Sequence, residues 1–309
     1  MIPVNSVLQV GSFPEIMQVE INRHLKTVRL TNPHEPVPAG SYEAILTRSS
    51  TPIPVSLLEQ IPTLKVIACC GVGYDNLPLD YLKAHGIQAS TTPGVLNDAV
   101  CELGIGLLFA LLRRLPAADH FVRSGAWQQQ QVFPIATTLA GKTVGIVGLG
   151  RIGQDLAKRL VAFGVTIAYT GPSDKKLPYA YYGDVNALAK AADIVILTCP
   201  GGPETERMIN AEVLKSLGPN GFLINIARGS VVDEAALIFA LQQNGIAGAA
   251  LDVFENEPKI NPAFLTLHNV ILSPHIGSAT SETRLAMTRL AIENLDAFFN
   301  QHPLLTPIH

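Results

Sequence analysis

Short runs of β-branched and other apolar residues alternate along this chain with segments whose apolar positions recur every three or four residues. The first pattern reads as a strand buried on both faces, the second as a helix with one buried face. In the first third, strands are predicted over residues 6–10, 44–47, 65–69 and 87–90, with helices near 55–60 and 79–85. A second series opens after Gly141: strand 143–147, helix 152–163, strands 166–169, 194–198 and 222–226, helix 233–243, and strands 247–251 and 270–272. Such alternation predicts parallel sheets covered by helices, and two series predict two α/β lobes.

The cluster Thr91-Thr92-Pro93-Gly94 breaks both periodicities. A long helical pattern over 97–115 follows it, and a last one over 282–299 can carry the chain back to the first lobe. The expected organisation is one lobe made of residues 1–96 and 285–309, with a second lobe, 97–284, inserted into it.

Composition narrows the class. Hydrophobic residues make up 48% of the chain and charged ones 15%, enough to bury large cores and too apolar for a disordered protein. A net charge of -3 gives no basic excess for a polyanion, so nucleic acid is not an expected partner. Glu15 and Glu20 precede any Lys or Arg, unlike a secretory signal. The most apolar stretch, 104–112, is too short to span a bilayer and ends at Arg113-Arg114. The four cysteines, Cys69, Cys70, Cys101 and Cys199, form no CxxC pair and have no zinc-like spacing with histidine. A cytoplasmic protein with buried free thiols and no metal or membrane partner is expected.

Gly148-Leu149-Gly150-Arg151-Ile152-Gly153 is a GxGxxG that directly follows an apolar strand and opens a helix. In that context the first glycine permits the tight turn, and the second lets a pyrophosphate approach the backbone. The third lets helix and strand pack closely, and the helix N-terminus attracts phosphate. An NAD site usually has a carboxylate about 20 residues beyond the glycines, at the next strand tip. Here the tip reads Tyr169-Thr170-Gly171-Pro172, and Gly171 stands 18 residues after Gly153 without a carboxylate. Asp174 lies beyond Pro172, outside the strand, and Ser173, Lys175 and Lys176 can hold a 2′-phosphate. NADP(H) is therefore expected in preference to NAD(H).

Two further residues carry chemistry at expected strand ends. Arg228 follows the strand over 222–226, and its planar guanidinium can grip a carboxylate with two bonds and polarise a neighbouring carbonyl. His275 follows the strand over 270–272, between Pro274 and Gly277-Ser278, and can exchange a proton near neutral pH. A loop carboxylate is expected to pair with the imidazole and orient it: Glu257, fixed before Pro258, or its rival Glu255 in the same loop, a choice that only family resemblance turns towards Glu257. The backbone amides of Val72 and Gly73 can bind a substrate carboxylate, because glycine lets a ligand approach closely.

Three successive segments resemble motifs of the D-isomer-specific 2-hydroxyacid dehydrogenases. They are Ile224-Asn225-Ile226-Ala227-Arg228-Gly229, Leu251-Asp252-Val253-Phe254-Glu255-Asn256-Glu257-Pro258 and Ser273-Pro274-His275-Ile276-Gly277-Ser278. Gly71-Val72-Gly73-Tyr74-Asp75 and Thr92-Pro93-Gly94-Val95-Leu96 resemble the family's first-lobe motifs, so the likeness runs from about Lys65 to Thr283. Within the family the chain most resembles the glyoxylate/hydroxypyruvate and hydroxyphenylpyruvate reductases. The resemblance implies two Rossmann-like lobes of doubly wound parallel sheet, the cofactor lobe inserted into a flavodoxin-like substrate lobe. It also implies an oxidoreductase that moves a hydride between NAD(P)H and a small 2-oxo acid, giving the D-2-hydroxy acid.

By the same resemblance Arg228, Glu257 and His275 are the catalytic set, and Val72, Gly73 and Arg228 bind the substrate. The expected cofactor set is Gly148, Gly150, Arg151, Ile152, Gly153, Thr170, Gly171, Ser173, Lys175, Pro200, Thr205, Ala227, Asp252, His275 and Gly277, with Asp252 facing the nicotinamide. A homodimer is implied, with 97–115 part of its interface. Trp127, the only tryptophan, is read as a core or interface anchor, and Gln128 to Gln131 as a solvated loop. Animal-type hydroxypyruvate reductases resemble this chain but carry a second tryptophan where these glutamines stand. The choice among glyoxylate, hydroxypyruvate and bulkier acids therefore stays open. Rivals are a dinucleotide-sensing corepressor-like protein, or a dehydrogenase of the same superfamily for phenylpyruvate-type acids, 2-ketogluconate or phosphite. A formate dehydrogenase is disfavoured, since those enzymes have an amide in place of Glu257.

Overall fold

The computed structural model describes residues 2–308. The chain divides into two compact units, Met1–Leu96 with Ser278–His309, and Asn97–Gly277.

The first unit begins with β1 (Val7–Val10), α1 (Glu15–His24), β2 (Val28–Leu30), β3 (Ala44–Arg48) and α2 (Val55–Leu58). It continues through β4 (Val66–Cys70), α3 (Leu79–Ala84) and β5 (Gln88–Ser90). Its five strands are all parallel in the order β2-β1-β3-β4-β5, the order of flavodoxin-like sheets. Because β3 and β4 are covered on both faces, they read as apolar runs, broken only by Thr47 and Arg48 at the end of β3. Ile45 and Ile67 are 0% exposed, each contributing about 1.5–3 kcal/mol by burial.

The second unit holds α4 (Asn97–Leu112), α5 (Leu115–Arg123), β6 (Thr143–Val147), α6 (Arg151–Val161), β7 (Thr166–Thr170) and β8 (Ala180–Tyr182). There follow α7 (Val185–Ala191), β9 (Ile194–Leu197), α8 (Ala211–Leu217), β10 (Phe222–Asn225), α9 (Glu234–Gln242), β11 (Gly248–Leu251) and β12 (Val270–Leu272). Its parallel sheet runs β12-β11-β10-β9-β6-β7-β8, a dinucleotide-fold order that reverses direction between β6 and β9. Loops beyond the carboxyl ends of strands at such a switch point form the ligand crevice.

The final helix, α10 (Ser281–Phe299), belongs to the first unit and packs on β4 and α1. Thr280 caps it by accepting from the Thr283 amide, and Arg289 Nε donates to the buried Glu20 of α1 at 2.6 Å. With the whole helix seated there, the units divide at Gly277–Ser278 and not at the 284/285 boundary expected from sequence.

Other differences have local causes. The pattern over 97–115 is one shorter helix, because α4 stops at Leu112 and Arg114 turns left-handed at φ 54°; α5, from Leu115 to Arg123, was not predicted. Pro116 enters α5 in its first turn, where its missing N–H costs nothing, but it could not continue α4. Trp127 is 67% exposed and so is not a core anchor of this chain. Gln128 to Gln131 form an exposed turn. The helices α1, α7 and α8 and the edge strands β2 and β8 were not among the predicted elements. All four cysteines are buried and outside any disulfide. Among the described residues no helix is long and apolar enough to cross a membrane.

Candidate active site

The glycine fingerprint sits at the β6–α6 turn, and each glycine meets a different demand. Gly148 has φ +93°, and a Cβ there would lie 2.7 Å from the Cys199 backbone. A Cβ on Gly153 would come within 2.4 Å of the Gly148 carbonyl oxygen, so the helix lies too close to the strand for any side chain. A Cβ on Gly150 meets nothing within 4 Å, so the backbone before Arg151 and Ile152, at the start of α6, faces open space. Beside it a cavity of about 180 Å³ is lined by Gly148, Leu149, Gly150, Tyr169, Gly171, Pro172, Ser173, Lys175, Thr198, Cys199 and Pro200. It lies at the switch between β6 and β9. Open space at Gly150, helix amides and a neighbouring cavity fit the pyrophosphate and ribose of a dinucleotide.

Past the end of β7, Gly171 follows Thr170 and presents no carboxylate to the cavity. Asp174 faces elsewhere. Its carboxylate accepts from Lys176 Nζ at 2.7 Å, Tyr169 Oη at 2.6 Å and the Lys176 amide at 2.9 Å. The Lys176 contacts and the Tyr169 hydroxyl hold that carboxyl well below the usual range. Lys176 is thereby committed to Asp174, which corrects its expected place at a 2′-phosphate. Lys175 lines the cavity, and its ammonium is in no ion pair among the described residues. Thr205 Oγ1 donates to the Pro200 carbonyl at 2.8 Å and fixes the turn on the other side of the cavity.

The remaining candidates of this unit gather beyond β10, β11 and β12. Buried Asn225, the last residue of β10, donates to the Arg228 carbonyl at 2.9 Å and accepts from the Ala227 amide at 3.0 Å. It shapes the turn that presents Arg228, whose Nη1 donates to the Ala227 carbonyl. Gly229 then runs under the next loop, where a Cβ would lie 1.9 Å from the Phe254 carbonyl carbon. Glu257 folds back so that Oε1 accepts from the Phe254 amide at 3.0 Å, while buried Glu234 accepts from the Glu255 amide at 2.7 Å. Glu255 itself is taken by Arg207 at 3.0 Å.

His275 Nδ1 meets Glu257 Oε2 at 2.6 Å, with side chains 41% and 33% exposed. The imidazole is carried on a left-handed residue, φ 52°. That turn is held by Asp252, whose Oδ1 accepts from Ser273 Oγ at 2.7 Å and the Ile276 amide at 2.9 Å. Its Oδ2 accepts from the Gly277 amide at 2.8 Å. Burial pushes the Glu257 carboxyl up, but the His275 bond, the Phe254 amide and the His275 and Arg228 charges outweigh it. The carboxyl ends below its ordinary range. The arrangement provides a histidine oriented on Nδ1, an anion to balance its charge and a neighbouring guanidinium. Such a set can protonate an oxygen and bind an acid.

Val72 and Gly73 lie in the other unit, beyond β4. Gly71 before them has φ +144° and is bonded to Thr92 through Oγ1 at 2.9 Å and the Thr92 amide at 2.7 Å. Among the described residues neither Val72 nor Gly73 gives its N–H to another group, so two amides stand ready for an acceptor.

Sequence reasoning assigned no role to Asn225, Glu234 and Ser273. Asn225 ends a buried strand and Ser273, itself buried, follows β12, places where a polar residue must find a partner; that was the available signal. It also did not foresee Asp252 as the clasp of the His275 turn.

Residues 105–277 match the family model of the D-isomer specific 2-hydroxyacid dehydrogenase, NAD binding domain. The chain is 41% identical over 308 residues to a hydroxyphenylpyruvate reductase of Plectranthus scutellarioides, covering 98% of each chain. It is 46% identical over 265 residues to a glyoxylate reductase of Thermococcus litoralis, covering 83% of this chain and 80% of that one. A crystal structure of an NADPH-dependent glyoxylate/hydroxypyruvate reductase from Sinorhizobium meliloti, in complex with NADP and malonate, superposes with a TM-score of 0.93. It is 40% identical, covering 99% of this chain and 97% of that one. With the fingerprint at its switch point and the paired His275 and Glu257 beyond the later strands, the chain belongs to the D-isomer-specific 2-hydroxyacid dehydrogenase family.

Proposed function

We propose that this protein reduces a small 2-oxo acid of the glyoxylate or hydroxypyruvate type to its D-2-hydroxy acid, with NADPH preferred over NADH. The observation that carries the reading is the 2.6 Å His275–Glu257 pair on a turn clasped by Asp252, with Arg228 acting on the same carboxylate. A bound nicotinamide dinucleotide supplies the hydride that reaches C2 of the substrate. His275 gives the proton. Its Nδ1 is occupied by Glu257, so Nε2 donates to the carbonyl oxygen, and the Glu257 carboxylate offsets the imidazolium charge. Arg228 holds the substrate carboxylate and polarises the carbonyl. In the other unit, Val72 and Gly73 carry unengaged amides that can donate to a carboxylate. Asp252 keeps the His275 turn in place, and a contact between it and the nicotinamide is part of the same proposal.

NADPH preference rests on Gly171, which leaves room and no negative charge, and on the uncommitted ammonium of Lys175. The Sinorhizobium relative is NADPH-dependent by its description. A second copy of this chain is the proposed partner. Leu115 and Val122 of α5, Trp127, Val132 and Ile135 are 51%, 54%, 67%, 90% and 98% exposed, a run of apolar surface that a homodimer would cover.

The test is a panel of 2-oxo acids assayed spectrophotometrically with both cofactors. kcat/KM with NADPH should exceed that with NADH by roughly tenfold or more. Lys175→Ala should narrow the gap, and Gly171→Asp should reverse it. Equal efficiency with NADH in the wild type would remove the cofactor assignment, and no turnover of any 2-oxo acid would remove the reading as a whole.

A further inference from the structure

Strand alternation and helix packing bring two arginines of the first unit to one face of its sheet. In β3 and β4, Ile45, Ile67 and Cys69 face one apolar core, so Arg48 and Cys70 point to the opposite face. The two are register partners at the carboxyl end of the sheet. Helix α10 packs on β4, and Arg284 in its first turn acts electrostatically on both Arg48 and Cys70, which places it on that same face.

No carboxylate among the described residues is paired with this charge. Arg48 Nη1 donates to the Ser12 carbonyl at 2.9 Å. Among the described residues neither arginine is in an ion pair, and the Arg284 guanidinium makes no hydrogen bond. Both side chains are partly buried. A cation in the first turn of a helix also meets the positive end of the helix dipole, an unfavourable position. Desolvation, and for Arg284 the charge of Arg48, push both guanidinium groups below their ordinary values. Like charges gathered with no local compensation are what a functional site leaves behind in a stable fold. The neighbouring turn is the one with free amides. Ser49 donates its own amide to the Cys70 carbonyl at 3.1 Å, and its side chain lies against Gly71, directly before Val72 and Gly73.

We propose that Arg48 and Arg284 form a subsite for a second anionic group on the substrate, a carboxylate or phosphate borne beyond the 2-oxo acid head. The inference rests on the reductase reading and deepens it. The head carboxylate is taken by the Val72 and Gly73 amides, and the far anion settles between the two guanidinium groups, relieving their repulsion. The enzyme's preferred acids are then doubly anionic.

The test compares 2-oxoglutarate with 2-oxopentanoate, which have equal carbon counts and differ in terminal charge. In the wild type kcat/KM should favour 2-oxoglutarate roughly tenfold or more, as charge-assisted guanidinium bonds imply. Arg48→Met and Arg284→Met should each bring the ratio towards one, and Arg48→Lys should restore part of the preference. A ratio unchanged by both Met variants overturns the subsite. Comparing 3-phosphohydroxypyruvate with hydroxypyruvate tells whether phosphate is accepted more readily than carboxylate. A calorimetric titration with glutarate and pentanoate reads the same preference without turnover. Glutarate binding that depends on Arg48 would keep the subsite even if no 2-oxo acid were reduced. Turnover with no charge preference, in titration or kinetics, would keep the reductase and discard the subsite.

Discussion

Asp252 gives the sharpest quantitative handle on the site. It is 2% exposed, and its two oxygens accept three hydrogen bonds from the turn that carries His275. Asp252→Asn keeps the shape and replaces one acceptor oxygen by an NH2 group. Its carbonyl can stay with Ser273 Oγ and the Ile276 amide, but the NH2 then faces the Gly277 amide, donor against donor. The lost charge-assisted bond is worth about 1.5–3 kcal/mol, and the stranded N–H and the weakening of the other two bonds add to it. A total near 3 kcal/mol corresponds to a fall in Tm of about 6–12 °C for a domain the size of the second unit. The turn also loses the clasp that aims His275, so kcat should fall at least tenfold, since small misplacements of a reacting group are costly. Scanning calorimetry and steady-state kinetics of the purified variant check both numbers. A Tm within 1 °C of wild type together with unchanged kcat would refute the argument that this carboxylate organises the turn. A normal Tm with weakened cofactor binding would move its role to the nicotinamide.

Two further predictions concern the loop that carries Glu257. Its carboxyl lies below its ordinary value, 4.5, so it stays anionic until the pH falls through that lowered value, and its contribution disappears only below it. The kcat/KM profile for reduction should accordingly show no loss attributable to Glu257 above pH 4.5. Glu257→Gln should lower kcat by roughly 10- to 100-fold at neutral pH, because the imidazole loses its anionic partner. An acid limb centred well above the carboxylate range that vanishes in Glu257→Gln would contradict this assignment. Gly229→Ala drives a methyl into the Phe254 backbone, so the Arg228 and Glu257 loops must separate at a cost of about 3 kcal/mol. Turnover should collapse while cofactor affinity, measured by fluorescence titration, changes little; wild-type Tm and kcat would show that the close approach is unimportant.

The fold class was legible because its signals are local. The glycine fingerprint needs only one turn to declare itself, and doubly covered strands must be apolar on both faces, so β4 and β9 stand out as unbroken runs. Edge strands β2 and β8, of three residues each, are partly exposed and carry too few apolar positions to show a period. Helices α7 and α8 span seven residues each, two turns of pattern, and only their caps Asp184 and Asn210 marked them.

Types and spacing also pointed to Arg228 and His275, because the chemistry of a 2-oxo acid restricts which residues can serve and strand ends restrict where, while Glu257 was preferred to Glu255 on the family resemblance alone. Partnership was a different matter. Glu257 and Glu255 stand two residues apart and read alike; only the folded loop turns one to His275 and the other to Arg207. Lys175 and Lys176 are adjacent, yet the turn after β7 gives one to the cavity and the other to Asp174. Arg48 and Arg284 lie more than two hundred residues apart in sequence, and no pattern along the chain hints that they share a face. Periodicity reports which face a residue takes, since that follows from backbone geometry. Which groups share a face across distant elements depends on topology and register, and those are set by the packing of the whole unit.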